Sequence, residues 1–568
     1  MSPACKNVVV ALAIRVPLRD GTELNATVYL PQNSDASGAA VLTVTPYISD
    51  TYHEYGRYFA SRGMPFVIID CRGRGNSAGQ FRPLIQEAAD AYDAVEWVAH
   101  QPFCDGRVVM WGGSYAGYVQ WAAAKEFPPH LVTIVPAAAA FVGLDFPMRH
   151  NVFSSYVVRW LTFTEGRTLQ QNLFGDDEFW RSAFARLSKL GRPFSTLDEL
   201  SGIPSSIFKE WVSHPEFDFY WQSFNPTASQ YSKIRIPILT ITGIYDDDQA
   251  GALEHYKRFM RHATPDSRAH HYLVIGPWDH AGTRAPKASF GGIEVGNASL
   301  IDLRNLHYEW YGWVLGTGPK PELLQANVAY YLTGADKWCY ADSLESVVSY
   351  QKEFYFSSRG GATDVFSSGE LTDEMQPGVV EDQYVYDPRD RDLVEVEQHV
   401  NPESLTDQRI VYVRSGRQLI YHSKSFSQDV EISGFFRFEA WLSIDQPDTD
   451  ICVTIYEIDC FGGSVRLSAD MIRARYRQGI EVAKLVDTTE PLRYEFSNFN
   501  FVAKLVKKGH RLRVTVGPPN SVYVQKNYNS ARPVAEQSIN DARVVTVGLF
   551  HSENYPTRMH VPFGRCAR

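Results

Sequence analysis

Ser114 is the side chain whose sequence surroundings point most directly to chemistry. It lies in the stretch Gly-Gly-Ser-Tyr-Ala-Gly, with Gly112 before it and Gly117 after it. Residues 107–111 are β-branched and apolar, and residues 118–125 are rich in helix formers. A serine in a sharp turn between strand and helix is typical of the G-x-S-x-G nucleophile elbow, which this stretch matches with one extra residue before the last glycine. The pattern predicts a nucleophilic serine.

An acid and a base follow two later predicted strands. The β-rich run 234–242 precedes Asp246, and the buried-type run 272–275 precedes His280. The order serine, acid, histidine at three strand ends is the order of a hydrolase triad. His280 would accept the proton of Ser114 and return it to the leaving group, while Asp246 would fix the imidazole tautomer and stabilise the imidazolium.

A tyrosine stands where a second oxyanion donor is expected. Tyr47 follows the predicted strand 41–45, and hydrolases with a strand–helix elbow supply an oxyanion donor after an early strand. The usual H-G-G-G stretch is absent, so a tyrosine hydroxyl would have to replace a backbone amide. Taken alone, a tyrosine after a proline more often packs in a core.

The elements that must position these residues divide the chain into four segments. Strand and helix signals alternate at first, which predicts a mostly parallel sheet covered on both faces. Helical spacing then dominates, the strand signals return, and period-two alternation takes over after the linker 316–321. The predicted fold class is α/β, with an α/β-hydrolase domain, an inserted helical cap and a C-terminal β-sandwich. The predicted segments are 1–140 (hydrolase domain, first part), 141–230 (helical cap), 231–318 (hydrolase domain, second part) and 319–568 (β-sandwich).

Composition excludes several other classes of protein. The 568 residues are 44% hydrophobic and carry a formal charge of −10 without a basic run, which argues against a nucleic-acid partner. The apolar run 8–14 is too short for a membrane span and lacks a signal-peptide exit, so we expect a strand there, no membrane partner and no export.

The cysteines and histidines point to a reduced, metal-free protein. The seven cysteines are scattered and lack C-x-x-C spacing, which predicts free thiols in a reducing, cytoplasmic compartment. His270 and His271 are adjacent, and no H-E-x-x-H stretch occurs, so we expect neither a metal nor a cofactor.

Several short motifs together resemble one superfamily of serine hydrolases. They are Val-Pro-Leu-Arg-Asp-Gly at 16–21, Asp-x-Arg-Gly-x-Gly-x-Ser-x-Gly at 70–79, Gly-Ser-Tyr-x-Gly at 113–117 and Gly-Pro-Trp-x-His at 276–280, together with the Pro-Tyr and Tyr-Asp pairs that contain Tyr47 and Asp246. These look like motifs of the cocaine esterase and Xaa-Pro dipeptidyl peptidase superfamily, which includes α-amino acid ester hydrolases and glutaryl acylases. The resemblance covers nearly the whole chain and implies that the C-terminal sandwich is a jelly roll.

The resemblance also implies a role for each matching residue. Ser114, Asp246 and His280 become the catalytic triad. The Tyr47 hydroxyl and the Tyr115 backbone amide become the oxyanion hole. The candidate substrate-binding residues are Asp248, Trp160 and Trp278.

The implied function is hydrolysis of a small-molecule carboxylic ester through an acyl-enzyme on Ser114. An amidase, a peptidase or an amino-acid ester hydrolase is the alternative, because Asp248 matches a position that holds a substrate ammonium. Gln249 stands where a second such carboxylate would be. Acyl transfer to another acceptor, and a binding protein that has lost catalysis, also stay open, as does a homodimer or larger homo-oligomer.

Overall fold

The first sheet has ten strands and a parallel centre. The computed structural model describes residues 7–32, 38–376 and 380–565. Across the sheet the strands run β1-β2-β4-β3-β5-β6-β9-β10-β13-β14, and all from β4 to β13 are parallel. In chain order the strands of this part of the molecule are β1 Val8–Pro17, β2 Glu23–Pro31, β3 Gly38–Thr45, β4 Phe66–Asp70, β5 Cys104–Gly113, β6 Leu131–Ala137, β7 Met148–Arg149, β8 Val152–Phe153, β9 Ile238–Gly243, β10 His271–Gly276, β11 Ser289–Phe290, β12 Ile293–Glu294, β13 Val328–Leu332 and β14 Lys337–Ala341.

Helices cover both faces of this sheet, which confirms the α/β prediction. Along β5, Val108 and Met110 belong to the core under α2 and α3, while Val109 and Trp111 belong to the core under α1 and α13. Because both faces are covered, the central strands are buried along continuous apolar runs. The covering helices are α1 His53–Ser61, α2 Glu87–Ala99 and α3 Tyr115–Ala124 early in the chain, and α11 Gln249–His262, α12 Pro265–Ala269 and α13 Leu303–Val314 later.

A helical insertion separates β6 from β9. Its helices are short and amphipathic, and bulky aromatic side chains such as Trp180, Trp211 and Trp221 fill its interior. Between the β7–β8 hairpin and β9 the helices are α4 Tyr156–Phe163, α5 Gln171–Phe174, α6 Asp177–Leu190, α7 Leu197–Leu200, α8 Ser206–Val212, α9 Phe219–Phe224 and α10 Ala228–Tyr231. The sequence predicts a cap over 141–230, and the last helix of the insertion ends one residue later, at Tyr231.

The first sheet continues beyond the glycine- and proline-rich linker. Strand β13 pairs in parallel with β10, and β14 pairs with β13, so residues 328–341 complete the first sheet. The composition of 316–321 marks a loop after α13 but does not mark the end of this sheet, which extends past residue 318.

Thirteen further strands form the C-terminal sandwich. Alternate residues such as Phe438, Ala440 and Leu442 point into one apolar core, as the period-two pattern predicted. The strands are β15 Val348–Ser357, β16 Gly369–Thr372, β17 Glu381–Tyr386, β18 Leu419–Ser423, β19 Val430–Gly434, β20 Arg437–Ile444, β21 Asp450–Ile458, β22 Ser464–Arg473, β23 Leu492–Phe496, β24 Val502–Val506, β25 Arg511–Gly517, β26 Val545–Phe550 and β27 Arg558–Gly564, with the helices α14 Asp392–Glu397 and α15 Arg409–Tyr412 between strands.

The cysteines depart in one place from the expected free thiols. Four are free, namely Cys71, Cys104, Cys452 and Cys460. Cys339 is disulfide-bonded, so the prediction is wrong for this residue, because cysteines that are scattered in sequence can still meet in space. Cys5 and Cys566 lie outside the described residues. Within the described ranges, no helix is long and apolar enough to cross a membrane.

Candidate active site

Ser114 occupies a strained turn at the end of the central strand β5. Its φ and ψ are 59° and −125°, a combination that a non-glycine residue rarely adopts. Its backbone N–H donates to the Ala137 carbonyl at the end of β6, at 2.9 Å. A Cβ on Gly117 would come within 2.7 Å of that same carbonyl oxygen. The glycine therefore lets α3 begin close against β6 and places Ser114 at the carboxyl edge of the sheet.

The side chain of Tyr115 is fixed by two hydrogen bonds to its buried hydroxyl. It is the first residue of α3, so its backbone N–H has no acceptor inside the helix. Its buried hydroxyl donates to the Glu87 carboxylate and accepts from the Leu84 N–H at 2.8 Å. Burial raises the pKa of Glu87 to about 7, although the hydrogen bond from Tyr115 acts in the opposite direction. This anchoring fixes the direction of the Tyr115 amide. Sequence reasoning missed Glu87, which looks like an ordinary first-turn acid of α2.

Tyr47 lies next to Ser114, where the sequence predicts an oxyanion donor. Its hydroxyl is close enough to the Ser114 side chain to interact with it. The Trp160 indole N–H donates to the same hydroxyl at 3.1 Å. Burial raises the pKa of Tyr47, so the phenol keeps its proton at neutral pH. Tyr47 therefore presents a fixed O–H beside the predicted nucleophile.

His280 and Asp246 form a hydrogen-bonded pair after the ends of β10 and β9, in which Asp246 is buried and His280 is partly exposed. The distance from His280 Nδ1 to Asp246 Oδ1 is 2.8 Å. Asp246 is 1% exposed, and its other oxygen accepts from the Thr242 hydroxyl at 3.0 Å. Because Nδ1 is bonded to the carboxylate, Nε2 is the nitrogen left for proton transfer. Thr242 fixes the carboxylate in turn. Sequence reasoning missed it because a threonine inside a strand carries no catalytic signal.

Asp248 adds a second negative charge next to this pair. Its Oδ2 lies 3.7 Å from His280 Nδ1. Burial favours the neutral imidazole, but the charge and hydrogen bond of Asp246, with the charge of Asp248, outweigh burial and raise the pKa of His280 to about 9. Burial and the neighbouring aspartates raise the pKa of Asp248 itself to about 7. The histidine is therefore strongly basic, and Asp248 titrates near neutrality.

A third carboxylate, Asp145, lies close to Asp248. It accepts hydrogen bonds from the backbone N–H groups of Phe141 (2.9 Å) and Gly251 (2.6 Å), so it caps the start of α11. Burial, together with the charge of Asp248, raises the pKa of Asp145 well above its usual range. Nothing in the local sequence marks Asp145, because its neighbours in space come from a segment about a hundred residues later.

Gln249 has a structural role at the position where the motif resemblance implies a second carboxylate. It is fully buried, and its Nε2 donates to the carbonyls of Ile244 (2.9 Å) and Phe501 (3.0 Å). The Phe501 N–H donates back to Oε1 at 2.7 Å. A carboxylate could not donate to these carbonyls. Gln249 thus ties the start of α11 to the sandwich.

The two candidate substrate-binding tryptophans lie in packed surroundings. Trp278 is 1% exposed, and its N–H donates to the Ser299 carbonyl at 3.2 Å, so we assign it to the core rather than to substrate. Trp160 is 5% exposed, stacks on the Tyr115 ring at 5.7 Å and donates to Tyr47. The sequence did not predict the surroundings of either tryptophan, because residue spacing does not show which side of a cap helix or loop faces the site.

Within the described part of the chain, no cluster of three or more His, Cys, Asp or Glu side chains is arranged to hold a metal ion.

Comparison with known proteins gives one consistent result. Residues 20–282 match the family model described as X-Pro dipeptidyl-peptidase (S15 family), and residues 324–553 match its C-terminal non-catalytic domain. The chain is 24% identical to a cocaine esterase of Rhodococcus sp. (strain MB1 Bresler), over 98% of this chain and 99% of that protein. An aminopeptidase structure from the marine sediment archaeon Thaumarchaeota archaeon is 22% identical, with a TM-score of 0.83 over 99% of this chain and 97% of that one. An α-amino acid ester hydrolase structure is 19% identical, with a TM-score of 0.83 over 99% of this chain and 98% of that one. The chain therefore belongs to the superfamily of hydrolases that contains cocaine esterase and the S15 X-Pro dipeptidyl-peptidases.

Proposed function

We propose that this protein is a serine hydrolase that cleaves a carboxylic ester of a small molecule through an acyl-enzyme on Ser114. The observation that carries the proposal is the arrangement at one sheet edge. Ser114, next to the Tyr47 hydroxyl, follows directly after β5, and the 2.8 Å His280–Asp246 pair follows the nearby strands β10 and β9. Nucleophile, base and orienting acid at neighbouring strand ends are the parts that acyl transfer requires.

Each proposed step moves a defined proton. Ser114 Oγ attacks the ester carbonyl while His280 Nε2 accepts its proton. The negative charge that develops on the carbonyl oxygen receives hydrogen bonds from the Tyr47 hydroxyl and the Tyr115 N–H. His280 then protonates the leaving alcohol as the carbon–oxygen bond breaks. Water, deprotonated by His280, attacks the acyl-enzyme and releases the acid and Ser114.

The acidic cluster supports a second candidate, an ester or peptide-like substrate that carries an amine. Asp248 is largely shielded from solvent and lies beside His280, where a bound ammonium would favour its ionised form. Gln249 weakens this candidate because its amide holds the sandwich. Asp248→Asn should lower the rate for free-amine esters relative to N-blocked esters. An unchanged ratio would leave the neutral ester as the substrate class.

The decisive test combines covalent labelling with hydrolysis. A fluorophosphonate probe should label the wild-type protein and fail to label Ser114→Ala. The same variant should lose a factor of about 10⁴ or more in turnover of a 4-nitrophenyl ester. Ser223→Ala is the matched control, because Ser223 is an exposed cap residue whose hydroxyl only donates to the Tyr220 carbonyl. Near-normal turnover by Ser114→Ala would show that Ser114 is not the nucleophile.

A further inference from the structure

A cavity opens beside the elbow, on the side that faces the loop after His280. Its floor is the backbone of Gly112 and Gly113, which end β5. Tyr55, Arg284 and His307 are among the side chains that line it. The residue next to Ser114 therefore borders a small, mainly apolar cavity whose lining contains arginine and histidine side chains and does not include Asp248.

Arg284 is a cation of this cavity that forms no ion pair among the described residues. It is half-buried, and its Nη1 lies 3.0 Å from the point where a Cβ on Gly113 would be. Within the described ranges, its side chain makes no hydrogen bond and has no carboxylate within the 4.0 Å that defines an ion pair. Arg304 also lines the cavity, but it faces Asp302 at 3.6 Å. A half-buried guanidinium without an anion is poorly compensated, so the cavity favours a negatively charged group.

His307 supplies a second unpartnered group. It is 4% exposed, and its Nδ1 donates to the Leu303 carbonyl at 2.6 Å. Its Nε2 is buried and has no hydrogen-bond partner among the described residues. This nitrogen can accept a hydrogen bond while the ring is neutral, and it can donate one if an adjacent anion causes the ring to take up a proton.

We propose that this cavity is a subsite for a carboxylate, bound by Arg284 with His307 beside it, and that it lies next to the reacting ester. The inference rests on the proposed function and adds a specificity to it. Arginine suits a carboxylate because its planar N–H groups match the two oxygens. The negative charge of Asp248 repels an anion, whereas the positive charge of Arg284 attracts one, so Arg284 defines where a carboxylate can lie.

The carboxylate has three possible sources, which one set of compounds separates. 4-Nitrophenyl hydrogen succinate places it on the acyl side, and the butyrate ester of 4-hydroxybenzoate places it on the leaving group. Each is compared with its uncharged carboxamide analogue. Free succinate represents an acid product. The proteins are the wild type, Arg284→Gln, Arg284→Lys and the control Arg235→Gln, which removes an exposed charge just before β9, at the opposite edge of the sheet.

We expect Arg284→Gln to lower the acid-to-amide ratio of kcat/KM by about 10- to 100-fold for one of the two esters. Arg284→Lys should retain part of the preference, and Arg235→Gln should keep it. If only succinate binding weakens, the site holds the free acid. If both ratios and succinate binding stay at wild-type values in Arg284→Gln, the inference is wrong. Succinate binding, measured by titration calorimetry, needs no turnover, so this result does not depend on whether the esters are hydrolysed.

Discussion

Buried charges are arranged differently in the sandwich and at the active site. In the sandwich, Arg473 pairs with Asp450 at 2.8 Å and Arg475 pairs with Asp448 at 2.8 Å. Asn527 donates to both carboxylates at 2.7 and 2.9 Å. Every charge in this group has an opposite charge and further hydrogen bonds, which is the condition under which buried ions are tolerated.

The proposed active site contains the same kinds of group with less complete pairing. Asp246 and Asp248 lie beside the His280 imidazole, Asp145 lies near Asp248, and Arg284 lines a cavity. Like charges and burial raise the pKa values of Asp248 and Asp145, and the carboxylates raise that of His280. A closed charge network holds a fold together, whereas unpaired, perturbed groups in a cleft are typical of a functional site.

Breaking the sandwich network should cause the largest change, and it should affect stability. Arg473→Met leaves Asp450 buried without its partner, so we expect a loss of about 3–5 kcal/mol in the free energy of unfolding. Denaturant unfolding measures this loss. Arg532→Gln is the control, because its 3.8 Å pair with Glu536 is exposed and should contribute about 1 kcal/mol or less. Equal losses in the two variants would show that the buried ion pair contributes no more to stability than the exposed one.

Removing the proposed oxyanion donor should lower the rate and leave stability nearly unchanged. Tyr47→Phe deletes the hydroxyl next to Ser114, and we expect kcat to fall by about 10²–10³. Steady-state kinetics and thermal unfolding together test this. Tyr350→Phe removes the hydroxyl of an exposed side chain in the sandwich and should change neither kcat nor the unfolding temperature. A Tyr47→Phe protein with wild-type kcat would exclude this hydroxyl from the oxyanion hole.

Loss of the cap contact to Tyr47 should have a smaller effect. Trp160→Phe keeps a ring over Tyr115 but deletes the N–H that donates to Tyr47, so we expect kcat to fall by up to about tenfold with little change in KM. In the Tyr47→Phe background, the same substitution should cost little more, because the hydrogen bond is already gone. Additive losses would show that Trp160 acts by another route, such as direct contact with substrate.

The smallest expected effect is a shift along the pH axis. The base must be neutral to accept the Ser114 proton, so kcat/KM should rise with pH through the pKa of His280, which is about 9. Asp248→Asn removes a negative charge that favours the imidazolium, so the rising limb should move to lower pH. Arg284→Gln removes a positive charge and should move it to higher pH. Shifts in the same direction for both variants would contradict this electrostatic picture.

The sequence predicts those site residues that lie on regular elements in a known order. Ser114, Asp246 and His280 follow apolar runs, and in a parallel sheet the carboxyl ends of such runs meet at one edge. The sandwich core is equally visible, because period-two alternation in β20 shows which side chains point inward. Both predictions rest on patterns of neighbouring residues: apolar runs that form parallel strands, and period-two alternation along a strand with one buried face.

The remaining features depend on contacts between distant segments. Asp145 caps a helix that begins about a hundred residues later, and Arg284 approaches Gly113 from another loop. Trp278 resembles a site residue because it lies two positions before His280, yet its ring turns into the core. Strands β13 and β14 return to the first sheet after a linker that composition alone marks as a boundary. Local periodicity contains no information about such long-range partners.

The two hydrogen bonds between the Gln249 side chain and the Phe501 backbone have a consequence for protein engineering. The residue directly after Asp248 is hydrogen-bonded in both directions to the backbone of the sandwich, just before β24 begins. A gene split between the two parts would therefore produce a first fragment whose acidic loop lacks its anchor. Such fragments should regain the proposed esterase activity only when they reassociate, which would make the pair suitable for a split-reporter assay of protein proximity.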